Sequence, residues 1–331
     1  MQELRHSMVK IRAYKPGDAR KICEMLSTYT DYERDEAFWL WINRIFPDQP
    51  AIIAVAEDGD EIVGHYAILP IMINFDGKRV LGGLGIHAFI APPARTKVPI
   101  FAVSKYCYAL AKNAGIRFVW GFPNKNYRII QEKVEKWCCV DVFNAYEKQL
   151  PEPTKFQGKG RLEEVSFSDP IAMLVVNELV EKVSALASIQ TDATLQSWVR
   201  RYRMHPQVDY RLLIYKEQEE VLGVIVTKRY EDPTGGQVVG HVLEYRLVED
   251  STVVDLIQAT ENYFYGSGVR KSVLWPSNSE FRCGLDSLGY ESTGFDTFFG
   301  VKLLDPEFKD DFEAFKDVRN WNLTMGMSDV F

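Results

Sequence analysis

The chain has 331 residues, enough for about two domains that each bury a core without disulfide or metal staples. Its 46% hydrophobic, 13% aromatic and 26% charged residues exclude disordered and fibrous classes. Thirty-nine lysines and arginines against 46 acids leave a net charge of −7, so no broad positive field exists to hold a nucleic-acid backbone.

The longest apolar runs, 51–56 and 68–73, are strand-sized, and the opening MQELRHSMVK lacks an apolar signal core. Both point to a soluble, cytoplasmic protein without a membrane partner. Cys23, Cys107, Cys138, Cys139 and Cys283 show no CxxC or Cys/His spacing, and the five histidines are scattered singly. This argues against structural metal and for reduced thiols in a reducing compartment.

In chain order, 9–13 reads as a short alternating strand, and Pro16-Gly-Asp opens a helix over 19–29 with Ile22, Leu26 and Tyr29 on one face. A second helix over 35–44 is apolar on more than one side, through Phe38, Trp39, Trp41 and Ile42. Segments 52–56 and 61–73 form a hairpin, because Glu57-Asp-Gly-Asp60 supplies the positive φ that a tight turn needs. A strand over 80–90 stops at Pro92-Pro93, and a helix over 99–115, a strand over 117–122, a loop at Pro123-Asn-Lys-Asn126, a helix over 127–136 and a strand over 140–149 follow. The prolines, glycines and mixed charges of 150–160 mark an exposed connector. The reading is therefore a domain at 1–150, a connector at 151–168 and a second domain at 169–331.

The second half repeats the first. Glu61-Ile-Val-Gly64 returns as Glu220-Val-Leu-Gly223, and Trp120-Gly-Phe-Pro-Asn124 as Leu274-Trp-Pro-Ser-Asn278, each about 155 residues on, with a strand at 238–247, a helix at 252–265 and a strand at 298–303 in the same order.

This order resembles the GNAT acyltransferase fold, doubled in tandem. Gly85-Ile-His-Ala-Phe-Ile-Ala-Pro-Pro-Ala-Arg95 is similar to that family's fourth strand and the start of its acyl-CoA loop. Gly115-Ile-Arg-Phe-Val-Trp-Gly-Phe-Pro-Asn124, closed by Glu135-Lys-Trp137, resembles its fifth strand and following helix. Arg200 to Pro206 (RRYRMHP) and the tail Trp321 to Phe331 resemble tandem members found with carbohydrate-biosynthesis genes. The resemblance implies an α+β protein of two GNAT-like domains, each a mixed, mostly antiparallel central sheet flanked by helices. It further implies an N-acyltransferase that moves an acyl group from acyl-CoA, without metal, to the amine of a small acceptor such as a nucleotide-linked amino sugar, acting as a monomer or homodimer. Two rival readings are a non-catalytic binding module of the same fold and an aminoacyl-tRNA-dependent transferase, the latter opposed by the acidic charge.

By the same resemblance, Ala88 and Ile90 lie where backbone groups pair with the pantetheine arm, and Arg95, Thr96, Lys97, Val98 and Ile100 form the pyrophosphate loop. That loop usually carries glycines whose bare amides wrap a phosphate; here both are replaced and Pro99 lacks an amide. The replacement suggests a reshaped donor site for an acyl group larger than acetyl. In the second half, Leu247-Val-Glu-Asp-Ser251 places two acids where a pyrophosphate would sit, so that copy is expected to close the acceptor site rather than bind CoA. Acyl transfer needs a neutral amine, donors near the thioester oxygen and a proton for the thiolate. His87, whose imidazole suits a base at neutral pH, is the first catalytic candidate, with Asn124 and Tyr127 as donors in place of the family's absent helix tyrosine. Tyr32, Arg34, Trp39, His65 and Trp120 are the candidates for contact with the acceptor.

Overall fold

The computed structural model describes residues 9–30, 35–44, 50–152, 160–183, 189–191, 198–231, 236–248, 253–276 and 279–328. They group into two compact units. The first comprises Met1–Met72, Val80–Asp141 and Phe298–Lys316, and the second Ile73–Arg79, Val142–Thr297 and Asp317–Phe331. The boundary read from composition at 150 thus differs from the packing: the first unit ends its main run at Asp141 and takes in 298–316. Within the expected connector, Gly160–Val165 is a strand.

In the first unit, β1 (Lys10–Ala13), β2 (Ile52–Asp58), β3 (Glu61–Phe75), β4 (Lys78–Ile90) and β5 (Phe118–Gly121) are neighbours in that order. The expected hairpin is present: Ala54 faces Tyr66 across β2 and β3, and Gly59 takes the positive φ of 63° in the turn. Helix α1 (Asp18–Tyr29) buries Ala19, Ile22, Met25 and Leu26, a spacing of three and four that makes one apolar stripe. Helix α2 (Glu36–Ile42) starts at Asp35, whose carboxylate accepts from the Phe38 amide at 2.6 Å. Helix α3 (Ile100–Asn113) lays Val103, Cys107 and Ala111 on a core with Ala54, Ala56, Tyr66, Ile68 and Val119.

The expected helix over 127–136 is shorter. Helix α4 (Lys125–Ile130) gives way to one widened π turn over Gln131–Glu135, closed by Lys136 in the left-handed region and by the Trp137 amide donating to the Gln131 carbonyl at 2.9 Å. The extra residue turns Glu135 inward.

Strand β5 pairs on its other side with the end of β13 (Glu291–Leu303), from Gly300 against Gly121 to Leu303 against Phe118. Short turns over 306–316 then stack Phe308 on Phe118 and pack Phe315 against it at a tilt, with ring centroids 5.9 and 4.4 Å away.

The second unit has β6 (Cys138–Gln149), β12 (Lys271–Leu274), β11 (Val238–Leu247), β10 (Glu220–Glu231), β9 (Tyr210–Glu217) and β7 (Gly160–Val165) as successive neighbours, with only β11 and β12 paired in parallel. Short strand β8 (Ile189–Thr191) pairs with 73–75. Gly223 lies in the second strand of its hairpin, as Gly64 does in the first unit, so the internal repeat is structural. Helices α6 (Val253–Gly266) and α7 (Ser279–Ser287) bury Leu256, Phe264, Phe281 and Leu285 against Leu213, Tyr215 and Ile225. Helix α5 (Pro170–Val183) packs on β10 and β11.

The phrase RRYRMHP and residues 321–328 of the tail meet in this unit. Tyr202 and Thr324 donate to the buried Glu244 carboxylate at 3.0 and 2.9 Å, Arg246 pairs with it at 3.1 Å, and Arg201 donates to the Ser328 carbonyl. A buried carboxylate needs such partners, so the tail is fixed by charge-assisted hydrogen bonds. Glu249 and Asp250, the two acids of 247–251, lie outside the described residues.

Candidate functional site

Strands β4 and β5 run parallel for three pairs, Gly82 with Phe118, Gly83 with Val119 and Leu84 with Trp120. Beyond Leu84 the pairing ends, while β4 continues to Ile90. Within that unpaired stretch His87 has φ 57°, a left-handed conformation inside a strand and a strained state for a residue with a Cβ. His87 remains half-buried and its ring centroid lies 5.7 Å from that of His65, which is 0% exposed on β3. The rings of these two histidines are thus neighbours across β3 and β4.

After β4, the chain makes a compact turn. The amides of Arg95, Lys97 and Val98 donate to the carbonyls of Pro92, Ala94 and Ala94 at 3.3, 2.9 and 3.0 Å. The Arg95 Nε donates to the Ile90 carbonyl at 3.2 Å, and Lys97 pairs with Asp58 at 2.7 Å. Three of the loop's amides are thus used internally. Thr96 is exposed, and Pro99 precedes α3 with no side-chain cap, so the Ile100 and Phe101 amides begin the helix without an intrahelical partner. Val98 and Ile90 are buried, and Ala88 is half-buried.

Across the opening, Asn124 caps α4, its Oδ1 accepting from the Asn126 and Tyr127 amides at 3.1 and 2.9 Å. That leaves its NH2 group as a donor. The Tyr127 hydroxyl donates to Glu135 Oε1 at 3.0 Å. Glu135, 8% exposed, also accepts from Ser104 and Tyr108 at 2.6 Å each and from the Trp137 Nε1 at 3.1 Å. Burial, then the neighbouring hydroxyls and Glu135, hold Tyr108 and Tyr127 protonated well above the ordinary phenol range. Lys302, which donates to the Glu135 carbonyl at 2.5 Å, is shifted down by burial.

Comparison with known proteins gives no matching family model and no matching curated sequence. Solved structures do match. A GCN5-related N-acetyltransferase from Anabaena variabilis superposes with a TM-score of 0.67 at 13% identity, over 90% of this chain and 73% of that one. A conserved Enterococcus faecalis protein described as a probable N-acyltransferase gives 0.66 at 10%, over 90% and 73%. Saccharomyces cerevisiae N-myristoyltransferase with bound myristoyl-CoA gives 0.62 at 9%, over 89% and 79%. The chain has the tandem GNAT fold.

Within this GNAT fold, the candidate residues separate into two groups. His65, His87, Ala88, Ile90, Arg95, Thr96, Lys97, Val98 and Ile100 lie on adjacent strands and the following loop, and Asn124 and Tyr127 start the helix after β5. Trp39 and Trp120 are instead core residues, 1% and 0% exposed: Trp39 packs on Tyr14 with centroids 5.5 Å apart, and Trp120 on Phe118 at 5.8 Å. An aromatic side chain on a helix that is apolar on several sides, as Trp39 is, or on a fully buried strand, as Trp120 is, has its largest gain in the core, where it is closed to an acceptor. Tyr32 and Arg34 lie outside the described residues. The sequence reading missed Ser104, Tyr108 and Tyr66. Ser104 and Tyr108 carried a signal, a polar pair at i, i+4 on an otherwise apolar helix. Among the described residues no group of three or more metal-ligating side chains occurs, and no helix is long and apolar enough to cross a membrane.

Proposed function

We propose that the chain is an N-acyltransferase that transfers an acyl group from acyl-CoA to the amine of a small acceptor, with a nucleotide-linked amino sugar as the preferred class. The observation that carries this reading is the left-handed backbone at His87, just past the point where β4 leaves β5, in a chain of GNAT fold. Arg95, Thr96 and Lys97 would meet the diphosphate, and the backbone at Ile90 and Ala88 the pantetheine. His87 takes a proton from the acceptor ammonium and passes it to solvent; the neutral amine attacks the thioester carbon, and the new C–N bond forms as the C–S bond breaks. The proton that the nitrogen loses on becoming an amide goes through the His87 imidazole to the departing sulfur. Tyr127 is ill-suited to supply that proton, because its own is directed at Glu135. The Asn124 NH2 group is the neutral donor for the thioester oxygen.

Stabilisation of the protein against heat by CoA and acyl-CoAs, followed by thiol release in the presence of amino-sugar nucleotides, tests this reading. A melting shift and acceptor-dependent thiol release are expected. A second reading, a binding module of the same fold, is favoured by the internal use of the Arg95, Lys97 and Val98 amides. The absence of any shift with CoA species would put it ahead of the first.

A further inference from the structure

The place where β4 and β5 join is closed on both faces. On the α3 face, a methyl group on Gly85 would collide with the Tyr66 hydroxyl and one on Gly83 with Ile68, while one on Gly121 would touch the Trp137 ring at 3.7 Å. On the opposite face, a methyl on Gly82 would come within 2.8 Å of Phe118 and 2.9 Å of Trp120, and Leu84 and Ile86 are buried beside them. Tyr66 is also braced. Its hydroxyl lies 3.4 Å from that of Tyr108, which gives its proton to Glu135, and the Trp137 Nε1 donates to both Tyr108 and Glu135 at 3.0 and 3.1 Å. The inward Glu135 thus acts through Tyr108 as a positioning residue for Tyr66.

The inference rests on the donor reading above. With the diphosphate at 95–100 and the pantetheine beside Ile90 and then Ala88, the donor runs back along β4 past His87. Its acyl group therefore points at the closed junction of Gly85 and Gly121. Interiors packed to crystal density have no voids into which methylenes can be threaded without moving side chains. We propose that Tyr66 and Trp137 are the end stop of the acyl site, so that the donor is an acyl-CoA with a short chain, of about two to four carbons. The altered glycine loop lies at the other end of the donor and does not act on chain length.

Titration calorimetry of the full chain with CoA, acetyl-CoA, butyryl-CoA, octanoyl-CoA and myristoyl-CoA, the last below its micelle concentration, tests the proposal without an acceptor. Acetyl-CoA and butyryl-CoA should bind within about threefold of each other, and octanoyl-CoA and myristoyl-CoA about tenfold or more weaker. Tyr66→Ala should restore octanoyl-CoA about tenfold, and Tyr66→Phe, which keeps the ring, should leave the chain-length profile unchanged. Octanoyl-CoA or myristoyl-CoA binding the wild-type protein as tightly as acetyl-CoA overturns the end stop while keeping the donor reading. Failure of every species, CoA included, overturns the donor reading and the end stop with it. If Tyr66→Ala loses its circular dichroism signal, the wild-type series decides alone.

Discussion

His87 is where backbone strain and chemistry coincide. A left-handed histidine inside a strand persists only if its surroundings hold it, and here the buried His65 ring lies beside it. Replacing His87 by Ala should lower kcat about 10²-fold if the imidazole moves the acceptor proton. Unchanged turnover in a folded variant would leave attack by an already neutral amine as the simpler course. Tyr127→Phe removes one of four donors to Glu135 and should leave kcat within about threefold, with a stability loss of about 1 kcal/mol; a loss of kcat comparable to that of His87→Ala would make Tyr127 the acid after all. His87 and His65 were legible from the alternation of apolar and polar positions on two neighbouring strands. Trp39 and Trp120 were not, because an aromatic residue has the same sequence signature in a core and in a pocket.

Among the elements, the widened turn Gln131–Glu135 has the greatest effect on the site. A regular helix would have placed Glu135 and its neighbours by a period of 3.6, and the Glu- and Lys-rich composition reads as a solvated face. One additional residue in the turn overrides that period, which no local propensity announces. Glu135→Ala should cost about 3 kcal/mol, since it leaves Ser104, Tyr108, Tyr127 and Trp137 without their shared acceptor. The urea midpoint measures this, and a variant as stable as wild type would show that the carboxylate contributes nothing net. A second carboxylate cluster ties β1, α1 and β2: Arg12 donates to Asp18 at 2.7 Å and to Glu57 at 2.7 Å. Hydrogen bonds from Arg12 hold Glu57 down to about 2. Burial alone would raise Asp18, but bonds from Arg12 and the Lys15 amide keep it below its ordinary value. Lowered carboxyl values mean that the stabilisation is complete above the unfolded pKa, near about 4.3 for Glu, and is lost as pH falls through about 2. The melting temperature should therefore drop between those limits, and Glu57→Gln should flatten the drop. An identical slope in the variant would remove Glu57 from the account.

For the whole molecule, tandem GNAT-like halves were readable because hairpin and strand phrases recur in the same order at one spacing. The assignment of 298–316 to the first unit was not readable, because pairing of Leu303 with Phe118 is a contact across more than half of the chain and leaves no periodicity in either partner. The fragment 1–150 lacks the strand end that pairs with β5 and the phenylalanines packed on Phe118. It should show no cooperative melting transition, as followed by circular dichroism. A sharp transition in the fragment would mean that 298–316 is dispensable for that core.

The same segment has a consequence during synthesis. Residues 298–316 leave the ribosome after the whole of 142–297, at about 5–20 residues per second. The sheet begun by the first strands therefore stays incomplete, its β5 edge unpaired on that side, for about as long as the whole second repeat takes to be made. An unpaired edge beside exposed aromatics is a template for wrong pairing. The interval between synthesis of β5 and synthesis of 298–316 is when this core is most in need of a chaperone that shields β edges.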